Sequence, residues 1–268
     1  MNLTLMTTFT MPAERLVCEE ALMSDLTGKV ALVTGGSRGI GAAVSSRLAK
    51  QGAAIALTYV QGSDQAREVA KQIEADGGRA AVIQADLAHP EAAAHAVEQT
   101  VRELGGIDIL VNNAGFLTYG PVAEVSVSDL DRVLAVDVRS VFLAAQTAAR
   151  HMGEGGRIIS VGSCFNGRVP GSNFVLQAMA KSALIGLTKG LARELGPLGI
   201  TATIVDPGPI NTDMNPADGD TADFQRSLTA LGRYGEAEDI AAAVAYLAGP
   251  GGRYVTGTSL AVDGGYTA

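Results

Sequence analysis

The sequence predicts a single-domain, doubly wound α/β fold in which helices cover both faces of a seven-stranded parallel sheet. Three observations support this fold class. From Lys29 onward, short apolar runs rich in β-branched residues alternate with longer helical stretches. The runs are continuous in hydrophobicity, which is typical of parallel strands buried on both faces. A glycine-rich segment at Gly35–Gly41 follows the first run directly, as expected of a ligand-binding turn in such a fold.

Each predicted strand except the last is followed by a helical stretch long enough to cross over to the next parallel strand. The predicted strands are Val30–Thr34, Ala54–Tyr59, Ala80–Gln84, Ile109–Val111, Arg157–Val161, Thr201–Val205 and Ser259–Val262. The predicted helices are Ala42–Gln51, Asp64–Asp76, Pro90–Leu104, Ser128–Met152, Val175–Leu195 and Ala237–Ala248. Residues 208–233 are polar and lie between the last two helices, so we expect them to form a loop over the ligand site.

We expect the domain to span residues 25–268, preceded by an extension of residues 1–24. This extension contains Glu14, Glu19 and Glu20, and it lacks the basic start and continuous apolar core of a secretory signal. Its acidic residues also argue against a transit peptide. We expect the extension to be poorly ordered, and a short arm that packs on a neighbouring subunit is the alternative.

Composition argues against several classes of partner. The 268 residues are 47% hydrophobic and 18% charged, which suits a globular chain, and the formal net charge is −8. Because no Lys/Arg cluster stands out, we expect neither nucleic acid nor an anionic membrane as a partner. No apolar run approaches the ~20 residues that span a bilayer. Cys18 and Cys164 have no disulfide or zinc spacing, so we expect reduced thiols, no bound metal and a cytoplasmic protein.

The segment Thr34–Gly41, with the sequence TGGSRGIG, has the composition of a phosphate-binding turn. Its glycines at 35, 39 and 41 let the main chain turn tightly and approach a pyrophosphate. The N-terminus of the helix that follows stabilises the negative charge of such a group. Since the segment follows a predicted strand and opens a predicted helix, it indicates a dinucleotide site.

Further motifs occur in a characteristic order along the chain. NNAG at Asn112–Gly115 follows the fourth strand, DPGPINTDM at 206–214 follows the sixth, and VTGTSLAVDGG closes the chain. Together with the spacing Thr-Gly-x-x-x-Gly-x-Gly, these motifs resemble the short-chain dehydrogenase/reductase family over residues 26–268, in particular its β-ketoacyl-carrier-protein reductase type. The resemblance implies a Rossmann fold and a nicotinamide cofactor. It also implies a homotetramer paired through the helices at 128–152 and 175–195 and through the C-terminal strand.

The sequence favours NADP(H) over NAD(H) as the cofactor. NAD-preferring sites place an acidic residue about 20 positions after the glycine turn, where it binds the ribose 2′-hydroxyl. Here the second strand ends without an acid at Thr58, Tyr59 or Val60, whereas Arg38 inside the glycine turn can pair with a 2′-phosphate. The resemblance assigns cofactor binding to Gly35, Ser37, Arg38, Gly39, Ile40, Gly41, Tyr59, Ser63, Asp86, Leu87, Asn112, Asn113, Ala114, Gly115, Lys181, Pro207, Gly208, Ile210 and Thr212.

The catalytic positions of the family are only partly matched. The resemblance places the serine that binds the substrate carbonyl at Ser163 and the lysine at Lys181. The family tyrosine, an acid–base group one helical turn before the lysine, is replaced by Gln177, and the asparagine of the water relay is replaced by Asp137. No tyrosine lies between residues 120 and 233, so no shift of the alignment restores one. An amide donates hydrogen bonds but does not transfer a proton near neutral pH.

Several groups could replace the missing acid, namely water, Lys181, a protonated Asp137, or Tyr119 shortly after the NNAG turn. Asp137 could equally form an ion pair that makes Lys181 unavailable, or act as an ordinary hydrogen-bonded helix residue. We therefore interpret the chain as an NADP(H)-dependent oxidoreductase of small ketones or alcohols whose acid–base site is altered and weakened. The alternatives are a non-catalytic sensor that binds NADP(H) or another nucleotide, and a non-redox enzyme on the same scaffold.

Overall fold

The structure is a computed structural model that describes residues 26–268, so the predicted N-terminal extension lies outside the described residues. The strands are β1 (Val30–Val33), β2 (Ala54–Tyr59), β3 (Ala80–Gln84), β4 (Ile109–Asn112), β5 (Arg157–Val161), β6 (Thr201–Pro207) and β7 (Thr258–Val262). The α-helices are α1 (Gly39–Lys50), α2 (Ser63–Ala75), α3 (Ala92–Leu104), α4 (Val127–Leu134), α5 (Ser140–Ala148), α6 (Val175–Leu195), α7 (Ala222–Ser227) and α8 (Ala237–Ala248). None of the helices in this part of the chain is long and apolar enough to cross a membrane.

The seven strands form one parallel sheet in the order β3-β2-β1-β4-β5-β6-β7, which confirms the predicted doubly wound fold. The strand order reverses its direction between β1 and β4, and this switch point opens a crevice beyond the carboxyl ends of the two strands. Ligands of doubly wound folds bind in that crevice, so the topology already places the expected site.

Two apolar cores, one on each face of the sheet, hold the fold together. Because successive strand residues point to opposite faces, Ala31 and Val33 join one core, while Val30 and Leu32 join the other. Helices α1, α2 and α8 cover the first face, and α3, α5 and the C-terminal end of α6 cover the second. Strands β1 and β6 are buried along their whole length, whereas the edge strand β7 is exposed over Thr258–Ala261.

The helix predicted for Ser128–Met152 is divided into three joined segments. Helix α4 ends at Leu134, residues Ala135–Arg139 form a π-helical turn, and α5 then continues to Ala148. Such a turn inserts an extra residue into a helix and occurs frequently at functional sites. Here it contains Asp137, so the widened turn determines how that side chain enters the crevice.

Candidate active site

One large cavity lies at the carboxyl ends of the central strands. Its volume is about 1230 Å³. A typical small-molecule site has roughly 300–1,000 Å³, so this cavity has room for a dinucleotide and a second ligand. The residues assigned from the sequence that line it are Gly35, Ser37, Arg38, Gly39, Ile40, Gly41, Tyr59, Asp86, Leu87, Asn113, Ala114, Gly115, Asp137, Ser163, Gln177, Lys181, Pro207, Gly208, Ile210 and Thr212.

Two of the assigned cofactor residues do not line the cavity. Ser63 is the first residue of α2, and its neighbours Gly62 and Gln65 line the cavity instead. Asn112 is buried within β4, where the sheet covers it. The adenosine end is therefore bordered by the turn that precedes α2 rather than by the serine that begins the helix.

Polar groups from the end of β4 hold the glycine turn in place. The Thr34 hydroxyl accepts hydrogen bonds from the main-chain N–H groups of Asn113 and Ala114, both at 3.0 Å. The Asn113 side-chain amide donates to the carbonyls of Thr34 at 2.9 Å and Gly35 at 3.1 Å. A Cβ atom at Gly41 would lie 2.2 Å from the Gly35 carbonyl oxygen, so only glycine fits there. This bare main chain at the N-terminus of α1 fits a pyrophosphate.

Arg38 is the cation at the adenosine end of the cavity. It directly precedes α1 and, among residues 26–268, has no carboxylate within ion-pair distance. Tyr59 and Val60 line the cavity near the end of β2, and that strand contributes no acid to the lining. The Thr58 hydroxyl accepts the Gly35 N–H at 3.0 Å. This end therefore offers a positive charge to a 2′-phosphate and no carboxylate from β2 to a 2′-hydroxyl.

Residues between Gly208 and Leu228 line the cavity, as expected for a loop over the site. The Thr212 side chain approaches the glycine turn so closely that a Cβ on Gly39 would lie 3.3 Å from its methyl group. Helix α7, which the sequence did not predict, lies within this segment and contributes Phe224 and Gln225 to the lining. The glycine turn and this segment thus come together across the cofactor end of the cavity.

Ser163 lies just beyond β5 and lines the cavity. Its Oγ accepts the Phe165 N–H at 3.2 Å, and its hydroxyl donates to Cys164 Sγ at 4.0 Å, a long contact to a weak acceptor that a ligand oxygen can replace. Asp206 fixes this turn by accepting the Ser163 N–H at 3.0 Å and the Asn166 amide at 2.7 Å, while burial raises the pKa of Asp206 above its usual range. Burial also raises the pKa of the neighbouring Cys164 thiol to about 12, so it is no nucleophile at neutral pH.

Asp137 and Lys181 form an ion pair at the reaction end of the cavity. Lys181 Nζ lies 3.0 Å from Asp137 Oδ1, and the two side chains are 13% and 1% exposed. The same Nζ donates to the Val161 carbonyl at 3.3 Å. A Cβ on Gly115 would lie 3.1 Å from Asp137 Oδ1, so glycine leaves room for the pair. Of the three roles that the sequence left open for Asp137, the structure contains the ion pair with Lys181.

Gln177 also lines this end of the cavity, but its amide is bound to the protein main chain. The residue is 3% exposed, and its Nε2 donates to the Phe116 carbonyl at 2.7 Å. The Phe116 N–H donates to Asp137 Oδ2 at 2.9 Å. The two side chains that depart from the family pattern therefore hold both polar main-chain groups of one residue.

Three aromatic residues, of which the sequence singled out only Tyr119, form an outer wall. Phe174 packs against Tyr119 and Phe165, with ring centroids 5.4 and 4.9 Å apart. Asn173 has a φ of 75°, in the left-handed region, and its carbonyl accepts the Gly120 N–H at 3.2 Å. This backbone conformation orients Phe174 toward the two other rings. These residues lie in loops without periodicity, so their only signal in the sequence is an excess of aromatic residues beside the motifs.

Tyr119 was the tyrosine that the sequence offered as a substitute acid. It lies at the rim of the cavity and is more than half exposed. Partial burial, with a smaller contribution from Tyr234, raises the pKa of the Tyr119 hydroxyl. A higher pKa makes a phenol a weaker acid at neutral pH, so this environment does not activate Tyr119.

Comparison with known proteins agrees with this geometry. Residues 35–267 match the family model described as enoyl-(acyl carrier protein) reductase. The chain is 42% identical over 246 residues to the cyclic-di-GMP-binding biofilm dispersal mediator protein of Escherichia coli (strain K12), covering 92% of this chain and 100% of that one.

Two solved structures are still more similar in sequence. One is a short-chain dehydrogenase from Burkholderia cenocepacia J2315 in complex with NADP, with 55% identity, a TM-score of 0.90 and coverage of 91% of this chain and 99% of that one. The other is a blue fluorescent protein from a metagenomic library in complex with NADPH, with 54% identity, a TM-score of 0.90 and coverage of 91% and 100%. Both relatives hold the cofactor that this sequence favours. The glycine turn, the NNAG turn and these matches together establish that the chain belongs to the short-chain dehydrogenase/reductase family.

Proposed function

We propose that this protein is an NADP(H)-dependent oxidoreductase that interconverts a ketone and an alcohol, with an altered and weakened acid–base site. The observation that carries the proposal is that Ser163 and Lys181 line the same cavity as the glycine turn. A phosphate-binding turn and polar side chains within one cavity are what hydride exchange between a nicotinamide and a carbonyl requires.

The residues of the chain fit this cofactor. The bare main chain of Gly35–Gly41 leaves room for a pyrophosphate, and Arg38 is available for a 2′-phosphate. When bound, the nicotinamide supplies or accepts the hydride. The Ser163 hydroxyl donates to the carbonyl oxygen and orients it. Lys181, held by Asp137 and the Val161 carbonyl, places its positive charge near the oxygen on which negative charge develops.

Delivery of the proton to that oxygen is the weak point of this site. General acid–base catalysis typically contributes ~10²–10⁴-fold to a rate. Gln177 cannot make this contribution, because an amide does not transfer a proton and its Nε2 is bound to Phe116. Lys181 is held by Asp137, so water delivers the proton instead; turnover is slow, but hydride transfer is retained through the positioning of the two reactants.

The outer wall favours a ketone or alcohol with a ring-containing, apolar body. Tyr119, Phe165 and Phe174 present ring faces and edges, on which planar groups pack well. Met214 and Phe224 expose apolar surface in the segment on the other side of the cavity. A substrate bound between these two walls would cover that surface.

A non-catalytic sensor of NADP(H) or another nucleotide is the second candidate function. Two contacts favour this candidate. Lys181 is held in an ion pair with Asp137, and the Gln177 amide is bound to the Phe116 carbonyl. Neither Lys181 nor Gln177 is therefore available as a proton donor to a substrate. The 42% identical relative from Escherichia coli is a cyclic-di-GMP-binding mediator protein, which supports nucleotide sensing as a use of this scaffold.

Titration of NADPH fluorescence, followed by turnover on a panel of ketones, separates the two candidates. We expect NADPH binding together with slow, ketone-dependent oxidation of NADPH. Ser163→Ala should remove most of that oxidation and leave NADPH binding unchanged, because the hydroxyl acts on the carbonyl. Tight NADPH binding without turnover on any ketone would favour the sensor.

We also propose that the protein is a cytoplasmic homotetramer. Helix α6 exposes Met179, Ala183 and Gly186 on one face, and the edge strand β7 is exposed as well. Light scattering should give four times the 27.4 kDa chain mass. Gly186→Arg should lower that mass without unfolding the chain, since within residues 26–268 no atom beyond the local helix main chain and adjoining residues lies within 4 Å of a Cβ built there. Gly153→Arg, equally open but on a loop, is the control, and a monomeric wild-type mass would contradict the proposal.

A further inference from the structure

We propose that Gln177 is a positioning residue that supplies a hydrogen-bond donor which Asp137 cannot supply, so that the two side chains act as a matched pair on the Phe116 main chain. The two side chains shape the site and do not react with a ligand. The proposal therefore holds whether the protein is an oxidoreductase or a sensor.

The first support is the complete pairing of the Phe116 main chain. Its N–H donates to Asp137 Oδ2 at 2.9 Å, and its carbonyl accepts Gln177 Nε2 at 2.7 Å. Asp137 and Gln177 are 1% and 3% exposed, so water has little access to either contact. A buried main-chain group that loses its partner is destabilising, so both contacts matter to the fold.

The second support is the chemistry of the two side chains. A carboxylate only accepts hydrogen bonds. Asp137 Oδ2 accepts the Phe116 N–H, and Oδ1 forms the ion pair with Lys181 without a hydrogen bond of its own. An asparagine amide carries an acceptor and a donor, and could serve the N–H and the carbonyl of one residue together. With an aspartate at 137, the Phe116 carbonyl needs a donor from elsewhere. Gln177 on α6 provides it.

The pair joins three segments that build the reaction end of the cavity. Asp137 lies in the π-helical turn, Gln177 in α6, and Phe116 directly after the NNAG turn. The Phe116 side chain packs against an apolar cluster that includes Leu176, and the Arg132 guanidinium lies 4.7 Å from the centre of its ring. Gln177 therefore sets the position of a cavity wall rather than acting on the substrate.

Thermal unfolding of the full chain tests the pairing. Gln177→Met keeps the length of the side chain and removes the donor, so we expect Tm to fall by roughly 3–10 °C. Asp137→Asn alone should also lower Tm, because it removes the ion pair with Lys181. In the Gln177→Met background, Asp137→Asn should lower Tm by less than it does in the wild-type background, because the new amide can donate to the Phe116 carbonyl and offset part of the lost ion pair. This smaller loss is the expected result.

A matched control uses Gln99 on α3, whose Nε2 donates to Glu103 at 2.8 Å on the surface. Asp137→Asn should change Tm equally with and without Gln99→Met. If Gln177→Met does not fold, Gln177→Leu with and without Asp137→Asn gives the same comparison. An equal effect of Asp137→Asn in both Gln177 backgrounds, or no loss of Tm in Gln177→Met, would overturn the proposal.

Discussion

Gln177→Tyr is expected to raise turnover on a ketone by ~10²–10⁴, the range that general acid–base catalysis contributes. Ser163 and Lys181 already line the reaction end of the cavity, so the introduced hydroxyl enters a site that has its other catalytic groups. Position 177 lies one helical turn before Lys181, and side chains at that spacing share one face of a helix. The measurement is the steady-state oxidation of NADPH by wild type and variant with the same ketone.

Combining Gln177→Tyr with Asp137→Asn should give a larger increase than Gln177→Tyr alone. The single change removes the donor to the Phe116 carbonyl and keeps the Lys181 ammonium bound to Asp137. The asparagine restores a donor beside Phe116 and releases Lys181 toward the phenol, whose ionisation a nearby positive charge favours. We therefore expect turnover to be higher in the double variant than in the single one.

Gln177→Phe is the matched control for the hydroxyl group, because it introduces the same ring without a transferable proton. Its turnover should not exceed the wild-type rate, because it brings no acid and also removes the donor to the Phe116 carbonyl. If it rises as far as that of Gln177→Tyr, the gain comes from packing rather than from proton transfer. If both tyrosine variants bind NADPH and reduce no ketone, the oxidoreductase proposal fails and the sensor is favoured.

Removal of the Arg38 guanidinium should weaken NADPH binding by ~10–100-fold and leave NADH binding nearly unchanged, because only NADPH carries the 2′-phosphate. A hydrogen bond to a charged group contributes about 1.5–3 kcal/mol, which corresponds to that range. Arg38 lines the cavity and has no carboxylate partner within residues 26–268, so its charge is not already neutralised. Fluorescence titration of both cofactors against wild type and Arg38→Ala provides the measurement.

Two further variants show whether the effect is local to Arg38. Arg38→Lys keeps the positive charge and loses the bidentate hydrogen bonding of the guanidinium. The affinity of this variant for NADPH should therefore lie between those of the wild type and Arg38→Ala. Arg47→Ala removes a guanidinium from the last turn of α1, away from the cavity lining, and should change neither affinity. Equal affinities of the wild-type protein for NADPH and NADH would contradict the assignment.

The sheet and its crevice were predictable because they depend on patterns that extend over many residues. Continuous apolar strands such as Val30–Val33 indicate a parallel sheet with helices on both faces, and the glycine turn locates the cofactor end. The π-helical turn at Ala135–Arg139 was not predictable, since one inserted residue leaves the apolar pattern of the helix nearly unchanged. Nor was the partner of Gln177, a carbonyl that lies 61 residues earlier in the chain.

The pairing around Phe116 also bears on how this sequence could have evolved from the family pattern of asparagine and tyrosine. If an amide arises at position 177 while position 137 is still asparagine, the Phe116 carbonyl keeps a donor at every step. If aspartate arises first, the asparagine donor is lost, and the carbonyl depends on whatever side chain then occupies position 177. The proposed pairing therefore makes the two positions epistatic, since an aspartate at 137 leaves the Phe116 carbonyl dependent on a donor at position 177.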